Sequence, residues 1–388
     1  MTQRLRSLDV FRGATVALMI LVNNPGSWAY LYPPLAHAGW HGCTPTDLVF
    51  PFFLFAVGNA LALVMPRLRD AGGAAFALRA GKRVGLIFAI GLLLNAAPFV
   101  RWDADGALVV KGLDTLRTMG VLQRIALCFG AAALIVWGLP RRGVLWSVVA
   151  LLAGYWLACL SFGDPLAPYE LFGWFGTAVD RALLGVNHLY RGEGIAFDPE
   201  GLASTPPAVA QVLLGWWVGD TLLRHGKVDA ALVSRLFVQA ALLALLAYAW
   251  QLAMPLNKKI WTSSYVLLSS ALAMATLATL MHVLDIRQRP REQLGWAHLC
   301  EAFGKNALFV FVLSGLVPRV LALWRWPDAQ RADGSPVWTS PLPWLYQNAF
   351  AGLGSDPRLG SFLFACANLG VYAAVVVWMD RRRLYIRV

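Results

Sequence analysis

The chain alternates continuous apolar runs of about 20 residues with short basic segments and a few longer mixed ones. Runs of that length and continuity predict membrane-spanning helices. The strands of a membrane barrel would be shorter and would alternate apolar with polar positions. Ten spans follow, at about 9–29, 45–65, 83–100, 119–138, 143–161, 206–224, 232–254, 263–284, 304–324 and 361–380, with an eleventh, half-length helix near Trp344–Leu353 left open. The first span is read as a retained helix, because no small-residue cleavage site follows it and it carries Asn23 and Asn24. Two loops are long, about 162–205 and 325–360, and such loops either carry function or cap the helices. No linker or low-complexity tract divides the chain. The expected fold is all-α, a polytopic integral membrane helical bundle in which residues 1–388 form one transmembrane domain.

Composition sharpens that class. Of the 388 residues 58% are hydrophobic and 14% charged, where a soluble domain has about 25% charged. A net charge of +12 would suit a nucleic-acid partner, but the cations sit in short loops between spans, as membrane topology requires, so that partner is rejected. Alternate loops hold 20 Lys and Arg on one side, from Arg4, Arg6 and Arg12 through Arg289 and Arg291 to Arg387. The other side holds 11, including Arg117, Lys258, Lys259 and Arg331. The positive-inside rule then puts both termini in the cytoplasm. The five cysteines (Cys43, Cys128, Cys159, Cys300, Cys366) have no disulfide or metal spacing, so they are read as packing residues and no metal is expected.

One polar cluster is not needed for insertion. Asn23 and Asn24 end the first span, His37, Trp40 and His41 follow in the loop, and Asp47 heads the second span. Polar groups at membrane depth are costly and usually face a cavity or a partner. Asn23 lies 14 residues beyond Asp9, about 21 Å along a helix, in the outer part of the bilayer core. Asn24-Pro25-Gly26 should break that helix and free backbone amides towards the site. Asp47 at a helix start can simply be a cap, and Trp28, Tyr30, Tyr32 and Trp40 suit an interfacial aromatic belt. The convergence of amide, imidazoles and carboxylate nonetheless points to proton transfer and oxyanion stabilisation.

Other intramembrane polar groups join the pattern. Gln123-Arg124 lies about 9 Å below the outer edge, where an arginine must line a wet cavity or pair with an acid such as Asp47 or Asp114. Asn257-Lys258-Lys259 with Trp261, Ser264 and Tyr265 offers hydrogen-bonding groups of the kind that hold sugars. Gly304-Lys305-Asn306 opens the ninth span with a cation and suits a phosphate, although a snorkelling lysine explains it more simply. Asp9 and Arg12 read as a structural i,i+3 pair.

At these residues the chain resembles the transmembrane acyltransferases typified by heparan-α-glucosaminide N-acetyltransferase. The resemblance is carried by Leu8-Asp9-Val10-Phe11-Arg12-Gly13, Val22-Asn23, His37-x-x-Trp40-x-Gly42-x-Thr44 and Asp47-Leu48-Val49-Phe50-Pro51. It continues through Gly120-Val121-Leu122-Gln123-Arg124, Phe197-Asp198-Pro199-Glu200-Gly201, Asn257-Lys258 and Gly304-x-Asn306, in matching order over nearly the whole chain. The bacterial NagX-type members look most similar, which implies a bacterial inner membrane. The resemblance implies acetyl transfer from cytosolic acetyl-CoA to the amino group of a glucosamine reached from outside, with His37 and Asn23 as family site residues. It also implies a homodimer. His41 departs from an asparagine and Lys305 from an apolar residue of the lysosomal enzyme. The large luminal domain of that enzyme is missing, so a free amino sugar or small glycan is expected rather than a polymer.

The chemistry agrees. An attacking amine must lose a proton, and imidazole, with a reference pKa of about 6.5, is a suitable base. Asp47 or Asp198 would orient it, and Asn23 or a freed amide would donate to the oxyanion. Direct transfer and an acetyl-histidine intermediate both remain open. The acceptor is expected to meet Trp40, Asp198, Glu200, Asn257, Lys258, Trp261 and Ser264; acetyl-CoA is expected to meet Gln123, Arg124, Lys305 and Asn306. Two rivals stay in view. A secondary transporter for sugars or peptides would move substrate without acetyl-CoA, and a scaffold protein would tolerate loss of His37.

Overall fold

The structure, a computed structural model, describes residues 5–103, 105–287, 295–330 and 335–386. Arg4, Arg289, Arg291, Arg331 and Arg387, which enter the charge asymmetry, lie outside the described residues. Thirteen α-helices are described: α1 Arg6–Asn23, α2 Val49–Asp70, α3 Gly73–Ala96, α4 Val121–Gly138, α5 Arg141–Phe162, α6 Gly176–Leu184 and α7 Thr205–His225. They continue with α8 Ala230–Trp250, α9 Ser263–Leu280, α10 Gly295–Lys305, α11 Ala307–Leu321, α12 Pro341–Leu345 and α13 Pro357–Arg381. A helix therefore stands at every position read as a span. Six are long and apolar enough to cross a membrane, with a seventh crossing if the bent pair α10–α11 counts as one. Ten crossings are not established by that measure; α1, with Arg6, Asp9 and Arg12, and α3, with Arg79, Lys82 and Arg83, are charged helices that do not pass it.

Several boundaries differ from expectation for local reasons. α1 stops at Asn23 because Pro25 cannot continue it. The amides freed there do not face the site: Gly26 N donates to Ser361 O and Ser27 N to Ser361 Oγ, tying the chain to α13. α3 starts at Gly73 rather than near 83, so Arg79, Lys82 and Arg83 lie inside the helix instead of before it. The span expected at 304–324 is two helices bent by 82° at Asn306. Asn306 is buried and holds the C-terminal segment, its Nδ2 donating to Leu384 O and its Oδ1 accepting from Ile386 N. The half-length helix near 344–353 exists as α12 continued by a π turn over Tyr346–Phe350. An all-α reading also missed two antiparallel hairpins in the loops, β1 Val100–Trp102 with β2 Leu108–Val110 and β3 Trp326–Gln330 with β4 Pro336–Thr339.

α2 is the central post. It packs most closely on α7 and also meets α1, α4 and α9, around a core that includes Leu54, Leu61, Ala126, Ala133, Val212, Leu213 and Val266. Small residues permit this approach, because lipid gives helices no hydrophobic reason to associate and close packing must do it. A Cβ on Gly58 would collide with Val212 O, and one on Gly215 with the Phe55 carbonyl. Gly13 and Gly304 do the same for α1 against α10.

Gly215→Ala should therefore destabilise the bundle by about 1–3 kcal/mol through overpacking. Gly154→Ala on α5, where an added Cβ meets nothing within 4 Å, should leave stability unchanged or raise it by up to about 1 kcal/mol. Thermal unfolding in detergent compares the two. Equal effects would mean that the glycines of α7 do not set the helix spacing.

Candidate active site

Asp47 organises the N-terminal end of α2. A short 3₁₀ turn, Pro45–Leu48, precedes the helix, and Thr44 and Asp47 form a reciprocal capping box. Asp47 Oδ2 accepts from Thr44 N, Thr44 Oγ1 and Ala38 N, each at 3.0 Å, and Oδ1 accepts from His37 Nδ1 at 2.7 Å. The cap and the site partner are thus one residue. Its side chain is 2% exposed, whereas that of His37 is 43% exposed. Because Nδ1 donates to the carboxylate, Nε2 is left as the basic nitrogen. Tyr265 of α9 completes the support by donating to Asp47 O at 2.5 Å.

Lys258 lies across the imidazole. Its Nζ is 3.2 Å from His37 Nδ1, 3.4 Å from Nε2 and 3.7 Å from Asp47 Oδ1. The turn that carries it is rigid: Ile260 N donates to Asn257 Oδ1, Trp261 N to Lys258 O, and Thr262 N to Asn257 O. Trp261 closes the turn at φ 55°, a left-handed conformation that a bulky residue adopts only when its surroundings impose it. Burial pushes the Lys258 ammonium below the usual lysine range, against the opposing pull of Asp47 and Glu200.

The opposite wall is the turn 198–204. Arg117 donates to both oxygens of Asp198 and to Glu200 Oε2. Burial works against the Arg117 charge, but the two carboxylates outweigh it and raise its pKa above the ordinary value. Behind the turn, Arg124 is fully buried, donates to Gly201 O and Ser204 Oγ, and lies over the Trp261 ring at 5.4 Å. Asp180 Oδ1 accepts from Ala203 N, while its Oδ2 has no hydrogen-bond partner among the described residues.

These walls enclose a cavity of about 290 Å³, named the outer cavity after the side expected for His37, lined by Asn23, His37, Trp40, Asp47, Arg117, Tyr190, Glu193, Glu200, Lys258 and Lys259. On the other side of Phe50 and Val121 lies an inner cavity of about 490 Å³, lined by Asp9, Arg12, Phe53, Arg83, Leu122, Lys305 and Ile386. Arg83 Nε is buried there without a partner among the described residues. Arg12, Arg83 and Lys305 make this a cationic chamber suited to phosphate groups.

Of the expected acceptor residues, Trp40, Glu200 and Lys258 line the outer cavity. Asp198 is instead consumed by Arg117, so it does not orient His37. Asn257 builds the Lys258 turn, Trp261 is buried behind Phe50 with ring centroids 5.0 Å apart, and Ser264 Oγ donates to Met254 O. Of the expected acetyl-CoA residues, Lys305 lines the inner cavity while paired with Asp380 at 2.7 Å. Gln123, Arg124 and Asn306 line neither cavity: Arg124 pairs with no acid among the described residues, and Asn306 clamps the tail. His41 bonds Glu170 and lies near Asn257, outside the lining. Lys259, read with Asn257 and Lys258 as a sugar-type group, also lines the outer cavity, whereas sequence reading missed Arg117, Tyr190 and Glu193 there and Arg12 and Arg83 in the inner one. Arg83 had a readable signal, as the last of three cations bordering the apolar run 84–94. Arg117 had none, since its partners are 81 and 83 residues away.

A family profile described as heparan-alpha-glucosaminide N-acetyltransferase, catalytic, matches residues 4–254. The human protein named heparan-alpha-glucosaminide N-acetyltransferase (Homo sapiens) is 30% identical over 73% of this chain and 49% of its own length. The mouse protein of that name (Mus musculus) is 28% identical over 73% and 50%. The chain spans about half the length of the curated relatives it matches. The profile match ends just before the turn that carries Lys258.

Burial raises the Asp180 carboxyl to about 6, with the Ala203 amide and Arg124 offsetting only part of the shift. Its neutral form is favoured in the folded state. The cost of ionising it is absent below the ordinary value of 3.8, develops as pH rises towards about 6, and is complete above that. Asp180→Asn removes this cost. The stability of the variant relative to the parent should therefore improve by roughly 2–3 kcal/mol between pH of about 4 and about 8. A pH-independent difference in unfolding temperature would contradict the assignment.

Proposed function

This chain belongs to the heparan-α-glucosaminide N-acetyltransferase family, and from that premise we propose that it transfers the acetyl group of acetyl-CoA to the amino group of glucosamine or a small amino-sugar glycan. The observation that carries the reading is the His37–Asp47 pair at 2.7 Å, opening on a cavity with an amine already placed against the imidazole. His37 Nε2 takes the proton that the acceptor amine loses as it attacks the thioester carbonyl. Asp47 fixes the tautomer and supports the imidazolium that forms. The Asn23 side-chain amide, on the cavity wall, donates to the developing oxyanion. His37 then returns a proton to the departing thiolate. Glu200, held by Arg117, and Trp40 contact the sugar.

Acetyl-CoA is cytosolic, and the cationic inner cavity supports entry from that side. Arg12, Arg83 and Lys305 receive the phosphates, and the pantetheine arm passes between α1, α2 and α4 towards His37. This reading takes the chain as one domain with ten crossings, both termini cytoplasmic, in a bacterial plasma membrane. It carries with it the homodimer that the resemblance implies, which a mass measurement on solubilised protein would count. A transporter reading gives no role to the oriented imidazole.

Steady-state acetylation of glucosamine tests the assignment. His37→Ala should lower kcat by about a hundredfold to ten-thousandfold with little change in KM for acetyl-CoA. Arg83→Ala should raise that KM, increasingly so at low salt where screening is weak. His41→Ala should retain turnover. Near-normal turnover in His37→Ala would remove the base from this account.

A further inference from the structure

Lys258 occupies the position that a substrate amine must take. Its Nζ sits against both ring nitrogens of His37, within reach of the nitrogen that serves as base, and Asp47, Glu200 and Lys259 are the other charged groups that face it. It is not a loose surface lysine. The Asn257–Thr262 turn holds its backbone, and only 19% of its side chain is exposed.

We propose that Lys258 is itself an acetyl acceptor, so that the protein acetylates and silences its own site when no amino sugar is present. The inference rests on the acetyl-transfer reading above. In the step, Lys258 gives a proton to His37 Nε2, and the neutral Nζ attacks the acetyl thioester carbonyl. The C–N bond forms as the C–S bond breaks. Of the two protons lost from the ammonium, one reaches the CoA thiolate through His37 and one leaves to water. The product is an uncharged acetamide lying over the imidazole, where it blocks the approach of a sugar amine.

Burial already favours the neutral amine at Lys258. The neighbouring lysine has a different fate: Lys259 donates to Gly39 O at 2.6 Å and to Glu193 Oε2 at 2.7 Å, so its ammonium is committed to acceptors other than His37. Adjacent residues thus provide an internal control.

The test is peptide mass spectrometry of the purified full chain incubated with acetyl-CoA, with and without glucosamine, while acetylated glucosamine is measured in parallel. Acetyl occupancy should rise at Lys258 at least about tenfold faster than at Lys259, Lys82 or Lys227, within the range of general-base catalysis. It should fall when glucosamine competes, disappear in folded His37→Ala, and track the loss of turnover after preincubation. Acetylation of glucosamine by a protein whose Lys258 stays unmodified after incubation with acetyl-CoA alone would overturn the inference alone. Equal labelling of Lys258 and Lys259 that survives His37→Ala would also overturn it, as non-enzymatic chemistry. Neither adduct nor sugar product would defeat the acetyl-transfer reading itself.

Discussion

A carboxylate with its whole hydrogen-bonding capacity committed is the constraint on which the outer site depends. Asp47 accepts from two backbone amides, a hydroxyl and an imidazole, and is almost entirely removed from water. Its charge would be expensive there without those donors and the nearby Lys258 ammonium. The same contacts start α2, fold the 36–47 loop back over the helix end and fix the imidazole tautomer. Breaking any one of them disturbs helix capping and site geometry together.

From Asp47 the architecture propagates along α2. Phe50, one turn in, faces the outer cavity; Phe53, Val57 and Ala60 face the inner one. α4 repeats the arrangement, with Val121 on the outer cavity and Leu122 and Ile125 on the inner. Two chambers of opposite character are thus set back to back on shared helices. One mixes carboxylates, imidazole and cations; the other is largely apolar, with three cationic side chains and the single carboxylate of Asp9. The glycine contacts between α2 and α7 hold this post at fixed depth. The buried Arg124 and Asp180 hold the Glu200 turn from behind.

Much of this was legible in the sequence because it is local. Continuous apolar runs locate the helices, and His37 and Asp47 are close enough in sequence for one loop to join them. What escaped is set by distant pairing. Arg124 reads as a cavity arginine but finds its acceptors in a turn some 80 residues later. Asp198 reads as an orienting acid but is claimed by Arg117. Asn306 reads as a helix start, which it is, but its side chain at the 82° bend bonds a tail that only the folded chain brings to it. Charged helices were also misjudged: α3 extends through three cations, one of which, Arg83, lays its guanidinium over the Phe129 ring.

The central claim is that acetyl donor and amino-sugar acceptor meet across the membrane through the two chambers. Oriented vesicles test it most directly. Acetyl-CoA is supplied on the side of the inner cavity only, glucosamine on the side of His37 only, and acetylated sugar is measured in each compartment. The account predicts product on the His37 side, with CoA retained on the other. Product that forms only when both substrates share one compartment would contradict it.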